Sequence, residues 1–156
     1  MAELIQILRN FKWEILGKYF GCAHDSTIGF LSSQWIAADP ENHAIIDWPP
    51  CVHIDVGGQD RRRHADILMF SNNRPALVVE VDQVGKPPVY YQTKIAVLQA
   101  YISDFGEALH GLLVLYGEKD GVTINYVQKL LADNSHSILL LHIEAENEWQ
   151  QLQHKE

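Results

Sequence analysis

The stretch that decides the fold runs from His64 to Asp82: His64-Ala65-Asp66-Ile67-Leu68-Met69-Phe70-Ser71-Asn72-Asn73-Arg74-Pro75-Ala76-Leu77-Val78-Val79-Glu80-Val81-Asp82. Two apolar runs, 65–70 and 76–82, flank a cluster of turn formers, Ser71 to Pro75, which is the pattern of a β-hairpin. A loop centred on Asn73 puts Asp66 opposite Glu80, His64 opposite Asp82, Leu68 opposite Val78 and Phe70 opposite Ala76. Successive strand residues point to opposite faces, so these residues share one side. The other side holds Ala65, Ile67, Met69, Leu77, Val79 and Val81 and is wholly apolar.

Working upstream, Val52–Val56 alternates as a further strand, separated from the hairpin by a turn at Gly57-Gly58. Residues 22–50 have no clear period and hold Gly29, Pro40, Asn42, Pro49 and Pro50, so they read as a long connection with room for a short helix or strand. Leu4, Leu8, Phe11, Ile15 and Tyr19 have helical spacing, and that helix is expected to end near Gly21. Downstream, Pro87-Pro88 can open a helix whose apolar stripe is Tyr91, Ile95, Leu98, Ile102 and Phe105. Gly111–Tyr116 reads as a strand ended by Gly117, 122–133 as a short strand or helix, Ile138–Ile143 as the last strand, and Asn147–Lys155 as a polar terminal helix. The expected fold is α/β, with a mixed central β-sheet flanked by helices, in a single domain over 1–156.

Composition narrows the partners. Apolar residues make up 47% and charged residues 21% of the 156, which is ordinary for a globular chain. No apolar run approaches the roughly 20 residues of a membrane span, and the first residues lack the pattern of a signal peptide. Two cysteines, Cys22 and Cys51, are too few for a disulfide scaffold. A cytoplasmic protein with reduced thiols and no membrane partner is expected. The formal net charge of −8 opposes nucleic-acid binding through the overall field. Any such contact needs a local patch, and Arg61-Arg62-Arg63 is the candidate; its bland reading is a solvated turn.

The acidic end of the hairpin carries the chemistry. Directly opposed strand residues have Cβ atoms about 5 Å apart, and like charges there are destabilising. Asp66, Glu80 and Asp82 would raise one another's proton affinity if left alone. A divalent cation removes that conflict, because Mg²⁺ binds one or two carboxylates together with waters and phosphate oxygens. Such a site suits phosphodiester hydrolysis. The bland alternative is that these strand-end carboxylates face solvent. Asp82 is open between ligand and strand-ending residue. His64 is open between a surface residue, a partner of Asp82 and a catalytic group. Asp55, in the preceding strand, is expected to stay apart from the acidic face.

The segment His64-Ala-Asp66-Ile-Leu-Met-Phe, turn, Leu77-Val-Val-Glu80-Val-Asp82 resembles the core motif of the PD-(D/E)XK nucleases over roughly 50–117. The resemblance implies a restriction-endonuclease-like core, ordered α-β-β-β-α-β. It implies that Asp66 and Glu80 hold Mg²⁺ or Mn²⁺, with Asp82 as a possible third ligand, and that the substrate is nucleic acid, DNA before RNA. Arg61, Arg62 and Arg63 would contact phosphates, and a homodimer is expected by analogy. Two positions depart from the pattern. The usual proline is Ala65, and the usual lysine is Asp82. Some members of the family supply that lysine from the following helix, where Lys94 is the first candidate and Lys86, in the loop before it, the second. The alternative function is a catalytically inactive binding or assembly module of the same fold.

A rival pattern is the pair of Cys-x-His motifs, Cys22/His24 and Cys51/His53, since Zn²⁺ accepts Cys₂His₂ ligation. Their spacing differs from that of common zinc modules. The sequence has no Gly-x-x-x-x-Gly-Lys phosphate loop and no Gly-x-Ser-x-Gly elbow.

Overall fold

The hairpin forms around two asparagines rather than five loop residues. In the computed structural model, which describes residues 1–16, 23–46, 49–106, 108–134, 137–145 and 148–151, Asn72 and Asn73 have φ of 52° and 61°. Positive φ at both central positions is the geometry of a two-residue hairpin turn, and asparagine tolerates it better than most side chains. The turn joins two strands, Ile67–Ser71 and Arg74–Gln83. Ile67, Leu68 and Met69 pair with Val79, Val78 and Leu77, in the register that a loop centred on Asn73 predicts. A bulge between Met69 and Phe70 then shifts the pairing, so Phe70 meets Pro75 instead of the expected Ala76. Proline cannot donate to a ladder, and the Phe70 carbonyl is taken by the Trp35 indole N–H at 3.0 Å.

In chain order the elements are α1 (Ala2–Arg9), α2 (Trp13–Ile15), α3 (His24–Ala38), β1 (Asn42–Ile46), β2 (Val52–Val56), β3 (Gln59–Arg63), β4 (Ile67–Ser71), β5 (Arg74–Gln83), α4 (Pro88–Phe105), β6 (His110–Tyr116), α5 (Gly121–Leu131), β7 (Ile138–Ala145) and β8 (Glu148–Gln151). Six strands form one mixed sheet in the order β1-β4-β5-β6-β7-β8. Pairs β1/β4, β4/β5 and β7/β8 are antiparallel, while β5/β6 and β6/β7 are parallel. The mixed α/β fold is therefore as expected. Among the described residues, no helix is long and apolar enough to cross a membrane.

Several elements differ from the sequence reading. Val52–Val56 does not join the main sheet; it pairs with β3 in a separate two-stranded ribbon turned at Gly57 and Gly58, whose φ values are 64° and 78°. Val52 and Ile54 bury one face of that ribbon in the same apolar cluster as α4, and this contact competes successfully with a place in the sheet. The strand before the hairpin is instead β1, inside the stretch read as a connection, as is α3. The first helix stops at Arg9, where the Trp13 indole N–H donates to the Leu8 carbonyl at 2.7 Å; Tyr19 and Gly21 lie outside the described residues. The expected terminal helix over 147–155 is replaced, where described, by strand β8.

The sheet is buried on both faces. Ile67, Met69, Leu77, Val79, Val81, Leu112, Val114, Leu139 and Leu141 pack with α1 and α3. Leu68, Val78, Leu113, Leu115, Ile138 and Leu140 pack on the other side with α4 and α5. Glu80 and Asp82 interrupt this second, apolar face. They follow Val78 at two-residue steps on the central strand, and only 1% and 2% of their surface is exposed.

The turn geometry gives a direct test. Asn73→Val puts a β-branched side chain at positive φ and should cost about 1–2 kcal/mol. Asn73→Gly should be neutral or slightly stabilising. Urea titration of both variants measures the contrast.

Candidate functional site

The site exists because the hairpin opens at its far end. β4 pairs with β5 only as far as Ile67 and Val79. Beyond that point the Ala65 amide donates to the Tyr101 hydroxyl of α4, at 3.1 Å, and the chain peels away from β5. The Val81 amide is left without a strand partner there, and the Asp66 carboxylate takes it at 2.7 Å through Oδ2. Asp66 thus replaces the ladder with a charge.

Lys94 meets that charge from above. It lies three residues after buried Tyr91 and four before buried Leu98, so it belongs to the sheet side of α4. Its Nζ is 3.1 Å from Asp66 Oδ2 and 2.5 Å from Glu80 Oε2. Two carboxylates from separate strands therefore share one ammonium. The opposite helix layer adds a third group: His24, the first residue of α3, places Nε2 3.3 Å from Asp66 Oδ1 and Nδ1 2.9 Å from Asp25.

The protonation states follow from burial and from partners. Burial opposes ionisation of Asp66, yet the His24 hydrogen bond, the Lys94 charge and the Val81 amide outweigh it, and its carboxyl is held well below the usual range. Burial pushes Glu80 the other way, well above the usual carboxylate range, despite Lys94 beside it. Burial also works against the Lys94 charge, but Glu80 and Asp66 overcome it and Lys94 holds its proton more firmly than an ordinary lysine. His24 is raised, chiefly by its hydrogen bond to Asp66, against an opposing burial effect.

Asp82 makes a separate pair. Its Oδ1 lies 2.7 Å from Lys86 Nζ and accepts the Gln83 amide at 2.8 Å, while buried Oδ2 has no hydrogen-bond partner among the described residues. His64 does not reach Asp82. Its Nδ1 donates to the Pro49 carbonyl at 2.5 Å and its Nε2 is 3.2 Å from Cys51 Sγ. Arg61, Arg62 and Arg63 lie in exposed strand β3 rather than in a turn. Asp55 faces Asp60 across the ribbon, away from the acidic face of the sheet. Of the two Cys-x-His pairs, Cys22 lies outside the described residues, His24 is engaged by Asp66, Cys51 by His64, and His53 sits 3.5 Å from Asp60.

The structure thus brings together Asp66, Glu80 and Lys94, ties Asp82 to Lys86, and adds His24, which sequence reasoning connected only with the zinc pattern. No spacing rule joins position 24 to position 66; the packing of α3 does. Among the described residues, no group of three or more His, Cys, Asp and Glu side chains is arranged to hold a metal. What the site offers is two carboxylates converging on one cation.

Two measurements check these charges. The His24–Asp66 interaction stabilises the fold fully below the ordinary histidine value near 6.5, and that stabilisation is lost as pH rises through the raised value. Asp66→Asn should bring the His24 pKa down to about 6.5 or lower, read by NMR titration. Lys94→Met leaves buried Glu80 without its cation and should cost about 3 kcal/mol at pH 8. The cost should shrink as pH falls, because burial already favours the protonated form of Glu80 and loss of Lys94 favours it further. No family model, curated protein or solved structure matches this chain, so its functional reading rests on this geometry.

Proposed function

We propose that this protein is a metal-dependent nuclease, hydrolysing phosphodiester bonds in DNA more readily than in RNA, with Asp66, Glu80 and Lys94 as its working residues. The observation that carries the reading is the position of Lys94 Nζ, 3.1 Å from Asp66 and 2.5 Å from Glu80. The expected lysine is absent from its usual place, which Asp82 occupies, and a lysine from the following helix stands at the carboxylates instead. The order of α3, three antiparallel sheet strands β1, β4 and β5, then α4 and parallel β6, also supports a restriction-endonuclease-like core. The β2–β3 ribbon interrupts that order between its first two strands.

The donor set suits a hard divalent cation. Two carboxylates completed by water and phosphate oxygens are a common way to hold Mg²⁺ or Mn²⁺, and no third protein ligand is needed. Such an ion, when bound by Asp66 and Glu80, would polarise the phosphodiester and offset charge on the leaving oxygen. Lys94 holds its proton firmly, so its role is to orient water and neutralise phosphate charge, not to accept a proton. The Val81 amide and His24 hold Asp66 in place through its two oxygens, and a metal ion would have to displace Lys94 or His24 from one of them. Arg61, Arg62 and Arg63 supply exposed positive charge for phosphates on a chain of net charge −8.

A second reading is a binding or assembly module without catalysis. The near-complete burial of Glu80 and the acidic net charge favour it. Incubation of the protein with plasmid, linear DNA and RNA, with and without Mg²⁺ or Mn²⁺, separates the two. The nuclease reading expects metal-dependent cleavage that falls about 100-fold or more in Asp66→Asn, Glu80→Gln and Lys94→Met, the scale of lost acid–base and electrostatic catalysis. Cleavage that persists in all three variants, or none with any substrate and metal, rejects it.

A further inference from the structure

Lys86 and Tyr90 stand beside the acidic site and take no part in it. Lys86 lies between β5 and α4, and its Nζ is held in two ways. It pairs with Asp82 Oδ1 at 2.7 Å and sits 5.1 Å from the centre of the Tyr90 ring. Asp82 is buried, yet the Lys86 side chain remains 38% exposed. Tyr90 is 49% exposed, and among the described residues its ring stacks on no other aromatic side chain. Tyr90 and Lys94 are four residues apart on α4, which puts them on neighbouring turns of one face. Pro87, Pro88 and Val89 around them are exposed as well.

Lys86 neutralises buried Asp82, and the same pairing fixes its ammonium at the surface. A lysine normally leaves its ammonium free in water, where rotamer freedom and hydration are greatest. Here the ammonium is fixed by a buried carboxylate and presented beside a half-exposed aromatic face. A fixed cation meets a phosphate, and an exposed aromatic face meets a nucleobase. Tyr90 is exposed one helical turn from Lys94, and Lys86 lies in the loop just before that helix. A base inside a duplex has its faces covered by its neighbours, so only an unpaired nucleotide can use the tyrosine.

We propose that Lys86 and Tyr90 form a subsite for an unpaired nucleotide, with a backbone phosphate on Lys86 and the base stacked on Tyr90. The inference rests on the nuclease reading for its purpose: it would guide single-stranded segments or frayed ends to Asp66, Glu80 and Lys94. Asp82 is then a positioning residue, which sets Lys86 rather than touching substrate.

The test is binding without catalysis. A fluorescein-labelled ten-nucleotide single strand and the corresponding duplex are titrated with protein in EDTA, and anisotropy is followed across a salt series. The subsite predicts tighter binding of the single strand. Tyr90→Ala should weaken that binding about tenfold, the scale of one lost stacking contact, while Tyr90→Phe keeps it within about twofold. Lys86→Ala should reduce the slope of log affinity against log salt by about 0.7, one phosphate on a single strand, and Lys86→Arg should restore it. Thermal melts of each variant check the fold, and the arginine variant keeps the test valid if loss of the Asp82 partner harms Lys86→Ala. Single-strand binding that is absent, or unchanged in Tyr90→Ala, overturns the inference. The two readings fail separately. Tyr90-dependent binding without cleavage under any metal upholds the subsite and removes the nuclease. Metal-dependent cleavage with unchanged KM in Tyr90→Ala does the reverse.

Discussion

One buried ion pair organises this molecule. Glu80 stands on the central strand of a sheet covered on both faces, in a row otherwise filled by Leu68, Val78 and Leu113. A carboxylate there loses its hydration, which raises its proton affinity, and a cation brought into the same layer offsets part of the loss. Lys94 is that cation, carried on α4, whose buried Tyr91, Ile95, Leu98 and Tyr101 pack on the same face of the sheet. Asp66 extends the constraint through the molecule. It accepts the Val81 amide where β4 leaves β5, pairs with Lys94 on one face, and meets His24 of α3 on the other. The two helix layers are thus joined by charge through the gap where the hairpin parts.

The distribution of charge explains why Asp82 does not simply repeat Glu80. Asp82 is buried two residues further along β5 and has its own lysine four residues later. The acidic face therefore holds two separate carboxylate–ammonium groupings instead of one cluster of three acids. The first grouping sets Asp66 and Glu80 around Lys94, with His24 on the far side of Asp66, and the two acids respond oppositely. Asp66, richly hydrogen-bonded, stays ionised, while Glu80, the more buried, is drawn toward its neutral form. The metal-dependent reading requires that an added divalent ion draw Glu80 back to its ionised form beside Asp66.

Much of this was legible in the sequence, and the remainder was hidden for identifiable reasons. The turn formers centred on Asn73 specify the register of Ile67 to Met69 against Leu77 to Val79, because apolar runs buried on both faces carry no alternation of their own. The bulge at Phe70 was not legible, since it depends on Pro75 and on Trp35 from a distant helix. Lys94 could be placed near the carboxylates from its position beside the apolar stripe of α4. Helix α3 escaped notice because Ser26, Thr27, Gly29, Ser32 and Ser33 weaken its propensity, and its buried residues, among them Thr27, Ile28, Phe30 and Leu31, follow one another too closely to leave a polar stripe. With α3 went His24, whose approach to Asp66 is a property of packing alone. Val52–Val56 read correctly as a strand, but alternation says nothing about which sheet a strand joins.

The most direct test of the shared-cation site is paramagnetic broadening by Mn²⁺ in the amide NMR spectrum. The ion quenches signals near its binding site first, so substoichiometric additions report location rather than bulk attraction. The account predicts that the amides of Asp66, Glu80 and Val81 vanish first, before those of exposed acidic positions such as Asp55, Asp60 and Asp133. Broadening that begins at those surface acids and leaves Val81 sharp would contradict it.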